Sequence, residues 1–412
     1  MVYFLNIALV VSTAFTTVVG ATNINFDVKP FKIDLSAEVP RLKFLVNNTR
    51  LPAKALYPSI GEEEGTGLGF LRDLQTQWLT SFDWEAQQAE LNQFQQFTVD
   101  IEGQTVHFVH EKSEDPNAIP LVLLHGWPGS FHEFLPVIKP LTESSLVNGT
   151  NVSYNVVVPG LPGFLFSSPP PLNWTVADTA RIFNTLMTDV LGYETYAVHG
   201  TDWGCGVGYS LYSDFNSTVR ALQLVLLPFL PLSPEEIAAN NITLTAVEEV
   251  SEQRAVAWTT SDWGYFKEQS TKPNDLGLAL YDSPVGQLAW IAGKYKRWSD
   301  PRAGTPPSVL DHTAILTAVS LYYLTDSFLS SIWIYEQNPN VLNPVYSKAP
   351  TDAPLLFSQY EYSIGFWPEQ YVAKVGNLVS YTVHDFGGHW AGLDNPPALI
   401  GDLRAMAPYF SA

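Results

Sequence analysis

The segment YAVHGTDWG, Tyr196 to Gly204, restricts the folds open to this chain more than any other. Its first half is a short apolar run of the kind buried on both faces of a parallel sheet. Its second half, Gly200-Thr201-Asp202-Trp203-Gly204, has the G-x-S-x-G frame of a turn that carries a strand straight into a helix. Such a turn presents its central side chain at the carboxyl edge of the sheet, where open α/β folds place their ligands. Here the central residue is Asp202 instead of serine. An aspartate at this place can also simply cap the helix, so the motif acquires meaning only from what surrounds it.

The surroundings repeat the pattern. AIPLVLLHGWPGSFHEFLPVIKPL is an apolar run, a Gly/Pro turn and an amphipathic helix; YNVVVPGLPGF and RALQLVLLPFL supply further buried strands. WTVADTARIFNTLMTDVLG reads as a helix, with Thr175 and Asp178 at N-cap and N3 spacing and Gly192 as its stop. Strands alternating with helices predict a mostly parallel α/β sheet covered on both faces. FTVDIEGQTVHFVHEK, with Glu102-Gly103 at its centre, predicts a hairpin at the start of that core. The expected layout is an N-terminal helical segment over 24–95, a core over 96–231 and 345–412, and between them an inserted, Trp- and Tyr-rich helical lid over 232–344.

A net charge of −20 would repel phosphate backbones and anionic membrane surfaces, so nucleic acid is excluded as a partner. Residues 1–19 are uncharged and apolar and precede the small pair Gly20-Ala21, which predicts a signal peptide over 1–20 and a secreted protein. The alternative is an uncleaved anchor in the endoplasmic reticulum membrane with a lumenal body. Sequons at Asn47, Asn148, Asn151, Asn173, Asn216 and Asn241 fit a glycoprotein in either case. Cys205 is the only cysteine, so no internal disulfide forms; its expected role is a small buried residue packing the elbow helix.

Aspartate at the elbow has a chemical logic. A serine alkoxide attacking a saturated carbon would leave an ether, whereas a carboxylate leaves an ester that an activated water can hydrolyse. The second step needs a base, and His389 in HDFGGHW follows the last predicted strand, in the chain order nucleophile, acid, histidine. His384, five residues earlier, falls within the strand pattern instead. The turn HGWPGS supplies backbone donors for a developing oxyanion, with the N–H groups of Trp127 and Trp203 as the expected pair.

Together HGWP, DWG, PGLPGF and GGHWAGL resemble the epoxide hydrolase branch of the α/β-hydrolase superfamily, and most closely its microsomal type, over nearly the whole chain after the leader. The resemblance implies an α/β-hydrolase fold with a helical lid and a helical N-terminal segment. It also implies hydrolysis of a small apolar epoxide to a vicinal diol with no cofactor and no metal. Two lid tyrosines would polarise the epoxide oxygen: Tyr265, which precedes a TKP sequence, and Tyr335, which ends LSSIWIY. The acid that orients His389 belongs in an FP-x-E/D-like segment, for which GFWPEQ nominates Glu369, with Glu361 in reserve. The chain departs from the family there: Glu369 lies only 20 residues before His389, and Phe386 stands where the family often has Arg. HGxP and DWG occur in dehalogenases too, so a haloalkane-type dehalogenase with the same Asp–His pair stays open. So does a secreted, non-catalytic binding protein on the same fold. The sequence is compatible with a homodimer and does not give the oligomeric state.

Overall fold

A computed structural model describes residues 25–61 and 64–410; the predicted leader, residues 1–20, lies outside them. Among the described residues nine strands form the main sheet: β1 (Lys29–Phe31), β2 (Gln96–Ile101), β3 (Gln104–Glu111), β4 (Ile119–Leu124), β7 (Tyr154–Pro159), β8 (Tyr196–Gly200), β9 (Val219–Leu224), β10 (Pro354–Tyr362) and β11 (Asn377–Gly388). A separate small hairpin comprises β5 (Ser145–Val147) and β6 (Thr150–Val152). The spatial order is β1-β2-β3-β7-β4-β8-β9-β10-β11. Pairing is antiparallel from β1 through β7 and parallel from β7 through β11. The predicted α/β fold is the one observed.

Local chemistry explains the strands. All five residues of β8 are buried, which is the signature of a central parallel strand. The β2–β3 hairpin turns at Glu102 and Gly103, both with positive φ, as a tight two-residue turn requires. Sequence periodicity did not announce β1, a three-residue edge strand that the N-terminal segment adds to β2 through backbone pairing. Three residues are too few for a period-2 pattern to register.

The N-terminal helices Val39–Asn48, Leu68–Thr80 and Trp84–Leu91 lie against the lid helices. The Trp78 indole donates to Ser320 Oγ at 3.0 Å, Thr317 Oγ1 to Gln87 at 3.0 Å, and Thr66 Oγ1 to the Ala289 carbonyl at 2.6 Å. Arg41 pairs with Asp282. The segment therefore braces the lid from outside, while the lid's inner helices, Gly264–Thr271 and Ser327–Gln337, cover the carboxyl ends of β4, β8 and β9. Among the described residues no single helix is long and apolar enough to cross a membrane.

Candidate active site

Asp202 sits at the corner between β8 and the helix Asp202–Asp214, with a φ of 44°. Side chains seldom adopt this left-handed conformation, and holding one there costs roughly 1–3 kcal/mol. Crowding enforces the corner. A Cβ on Gly200 would lie 2.4 Å from the Gly204 carbonyl oxygen, and one on Gly204 would lie 2.1 Å from that of Leu124. The Thr201 N–H donates to the same Leu124 carbonyl at 2.9 Å, locking the elbow to the end of β4.

The turn after β4 closes over the carboxylate. A Cβ on Gly126 would stand 2.2 Å from Asp202 Oδ1, and the Trp127 N–H donates to that oxygen at 2.8 Å. The Trp203 N–H belongs to the first turn of the elbow helix, whose amides lack intrahelical acceptors. His125 serves the turn's structure. Burial pushes its imidazole down to about 4, and neutral Nε2 accepts the Leu161 N–H at 3.2 Å, tying the PGLPGF loop to the HGWP turn.

His389 follows β11 directly and is buried. Its N–H donates to the Trp298 carbonyl at 2.7 Å, and its ring meets those of Trp298 and Trp390 edge-on, with centroids 5.2 and 4.9 Å away. Nε2 comes within 3.3 Å of Asp202 Oδ2. The carboxylate thus offers one oxygen to the HGWP turn and the other to the histidine. His384 is elsewhere, bonded to Asp402 at 2.9 Å. Cys205 is buried and donates its thiol to the Gly200 carbonyl.

The acid proposed to orient His389 is where the structure departs from the sequence reading. Glu369 opens the short surface helix Glu369–Val372 and is exposed, without a hydrogen bond to His389. Pro368 explains this: its extended ψ of 148° turns the chain outward, and an acidic residue at a helix N-terminus is comfortable in water. The same segment instead contributes Ile364, Gly365 and Trp367 to the cavity wall. Glu361 also makes no bond to the histidine; its carboxylate lies 3.9 Å from Arg302, which pairs more closely with Asp300 and covers the Phe386 ring. Among the described residues, the buried Nδ1 of His389 has no hydrogen-bond partner.

Tyr265 and Tyr335, which are 70 positions apart in the chain, meet above Asp202 with ring centroids 5.9 Å apart. Tyr265 stacks on Trp127 at 5.7 Å, and Tyr335 meets Trp203 edge-on at 4.8 Å. Both phenols are held well above the usual tyrosine range, first by burial and then by neighbouring groups including the Asp202 carboxylate. Both therefore keep their protons. Tyr335 Oη is buried, with the Tyr265 phenol and the Trp203 indole as its polar neighbours. They roof a cavity whose floor is Asp202 and whose walls are apolar, among them Leu226, Trp258, Phe266 and Leu342.

Two residues that the sequence reading passed over also belong to the site. Glu133, buried behind the HGWP turn, accepts from Thr201 Oγ1 at 2.8 Å; burial, reinforced by Asp202, pushes its carboxyl up to about 8. Lys294 is buried beside Tyr265 and Trp127. Each is a charged residue on the apolar side of a helical pattern, a signal that was readable but easily taken for a solvated face.

Comparisons with known proteins identify the family. Residues 28–134 match the model described as the epoxide hydrolase N terminus, and residues 119–396 that of the alpha/beta hydrolase fold. Juvenile hormone epoxide hydrolase 2 of Ctenocephalides felis is 30% identical over 94% of this chain and 87% of its own length. The structure of Aspergillus niger epoxide hydrolase is 34% identical, covers 93% of this chain and 96% of its own, and superposes with a TM-score of 0.78. That of juvenile hormone epoxide hydrolase from the silkworm Bombyx mori is 25% identical, covers 94% and 95%, and has a TM-score of 0.82. The chain belongs to the epoxide hydrolase family of the α/β-hydrolase superfamily.

Proposed function

We propose that this chain opens apolar epoxides through a covalent ester on Asp202. Asp202 Oδ2 attacks one ring carbon, the C–O bond breaks, and Tyr265 or Tyr335 gives its proton to the departing oxygen. His389 Nε2 then takes a proton from water, and the hydroxide adds to Cγ of Asp202. The resulting oxyanion on Oδ1 is stabilised by the N–H groups of Trp127 and Trp203; on collapse the departing diol oxygen takes the proton held by His389, and the proton left on the Asp202 carboxyl restores the phenol. One observation carries this reading: the two oxygens of Asp202 are divided between the Trp127 N–H and His389 Nε2, beneath two protonated phenols in one cavity.

A single turnover in ¹⁸O-water with an aryl epoxide, followed by mass analysis of the Asp202 peptide, tests the ester. Label in that carboxylate is the expected result; diol formed over repeated turnovers with no label in Asp202 would sink the reading. The apolar walls support a substrate whose body is hydrocarbon, with the epoxide as its one polar group.

Secretion belongs to the same proposal. The asparagines of all six sequons are exposed, as glycan attachment demands. A mass loss on enzymatic deglycosylation of the protein from its native host would support it, and an unglycosylated native chain would contradict it. A homodimer is testable by sedimentation at micromolar concentration.

A further inference from the structure

The buried amine of Lys294 lies beside the proposed acid, and the ester mechanism leaves it idle. It lies on the helix Pro284–Arg297, one turn after Trp290, and donates to the Trp290 carbonyl at 2.6 Å. Beyond that carbonyl it meets ring faces: the Trp290 centroid is 4.3 Å away, Tyr265 5.0 Å and Trp127 5.5 Å. Three rings around one nitrogen form a cation cage, since aromatic faces attract positive charge within about 6 Å and attract it more strongly away from water. Two of those rings belong to the machinery already described, one as proton donor and one as bearer of the oxyanion N–H.

The remaining charges near Lys294 are Arg297 and Asp262, which pair with each other at 3.7 Å, and Glu64, which lines the same cleft. Thr66 packs against Gly293, the residue before Lys294. Burial lowers Lys294 well below the usual lysine range; the cage works in the opposite direction, because the ring faces attract only the protonated form.

We infer that Lys294 is a positioning residue for ring opening: its ammonium, seated over the Tyr265 ring, stabilises the phenolate that forms as Tyr265 protonates the departing oxygen. The inference rests on Tyr265 acting as an acid. It predicts that Lys294 acts through Tyr265 and on the first chemical step alone. A cation over the ring helps most when the departing oxygen is most basic, so epoxides bearing electron-withdrawing groups depend on it least.

The test is a double-mutant cycle on Lys294→Met and Tyr265→Phe, read by single-turnover ring opening with styrene oxide and with epichlorohydrin. Lys294→Met should slow opening of styrene oxide about tenfold or more in the wild-type background, no more than about twofold in Tyr265→Phe, and epichlorohydrin less than styrene oxide. Hydrolysis of the ester should be unchanged. Equal losses in both backgrounds, or no loss in either, would overturn the role of Lys294 while leaving Tyr265 in place. No loss in Tyr265→Phe itself would overturn the reading of the tyrosine. Should Lys294→Met fail to fold, Lys294→Gln completes the cycle, with the same outcomes deciding.

Discussion

The floor and the roof of the cavity are held by different physics. Asp202 and the Trp127 N–H are fixed by main chain against main chain, at contacts so close that Gly126, Gly200 and Gly204 have no room for a Cβ. Tyr265 and Tyr335 are fixed by aromatic packing, each touching at least three other rings. Backbone contacts fail abruptly because neither partner can yield. Ring packing is a sum of small terms, about 0.5–1.5 kcal/mol per pair, and gives way by degrees. Substitutions in the floor should accordingly be all-or-none and those in the roof graded.

The largest effects test the floor. Asp202→Ala removes the nucleophile and should lower turnover by about 10⁴-fold or more in a steady-state diol assay. His389→Gln should allow ring opening but stop hydrolysis, so intact-mass spectrometry should find protein heavier by one substrate. An unmodified His389→Gln protein after incubation with epoxide would mean that the histidine is needed earlier. Gly204→Ala, which leaves every reacting group in place, should prevent accumulation of folded protein because its methyl meets the Leu124 carbonyl.

The roof should respond more gently. Tyr265→Phe and Tyr335→Phe should each slow ring opening by roughly 10- to 100-fold, since one phenol can stand in for the other, and the double variant by more than either. Loss of all activity from one single variant would show that the tyrosines are not equivalent donors and would sharpen which is the acid.

This contrast also governs what could be read from the chain. The floor was legible because close backbone approach demands glycine at fixed intervals, and G-T-D-W-G, HGWPG and GGH record those intervals directly. The roof was not legible from pattern. Nineteen tyrosines share the chain, and nothing in local spacing tells a phenol over a cavity from one in a core; only the resemblance nominated Tyr265 and Tyr335. Lys294 and Glu133 illustrate the same limit, because a buried charge on an apolar stripe becomes meaningful only when its partners from other elements are known. The N-terminal segment was read as helical, but its strand β1 is too short to show a period.

Glu133 extends the comparison to stability. Its carboxyl has an ordinary value of 4.5 and is pushed up to about 8 by burial. An unfolded chain would ionise there from about pH 4.5, while the folded chain keeps the proton until about pH 8. The stability it contributes is therefore complete below pH 4.5, falls across that window and is lost above pH 8. Asp394, pushed up to about 7 by burial, acts in the same sense. Buried His125, His132 and His199, pushed down to about 4, act in the opposite sense: their contribution is present above pH 6.5 and is lost as pH falls through 4. Glu133→Gln should flatten the decline in melting temperature between pH 5 and pH 8 by an amount worth a few kcal/mol at most. An unchanged slope by calorimetry would show that the carboxyl ionises freely in the fold.

The smallest expected effect bears most directly on how His389 is aimed. In a serine-type triad a carboxylate fixes the histidine tautomer, and losing it costs about 10⁴-fold. Here the histidine is fixed by its own N–H on the Trp298 carbonyl, by the edges of two tryptophans and by Asp202, while Nδ1 has no partner among the described residues. Glu369 is exposed on a surface helix, and Glu361 faces Arg302. Glu369→Gln should therefore leave both ring opening and ester hydrolysis within about twofold of wild type, and Glu361→Gln should do the same. Trp298→Ala, which removes no ionisable group, should slow hydrolysis more than either by letting the imidazole tilt away from the ester. If Glu361→Gln instead slowed hydrolysis a thousandfold and left ring opening intact, the histidine would be aimed by charge, and the floor of the site would depend on a side-chain contact after all.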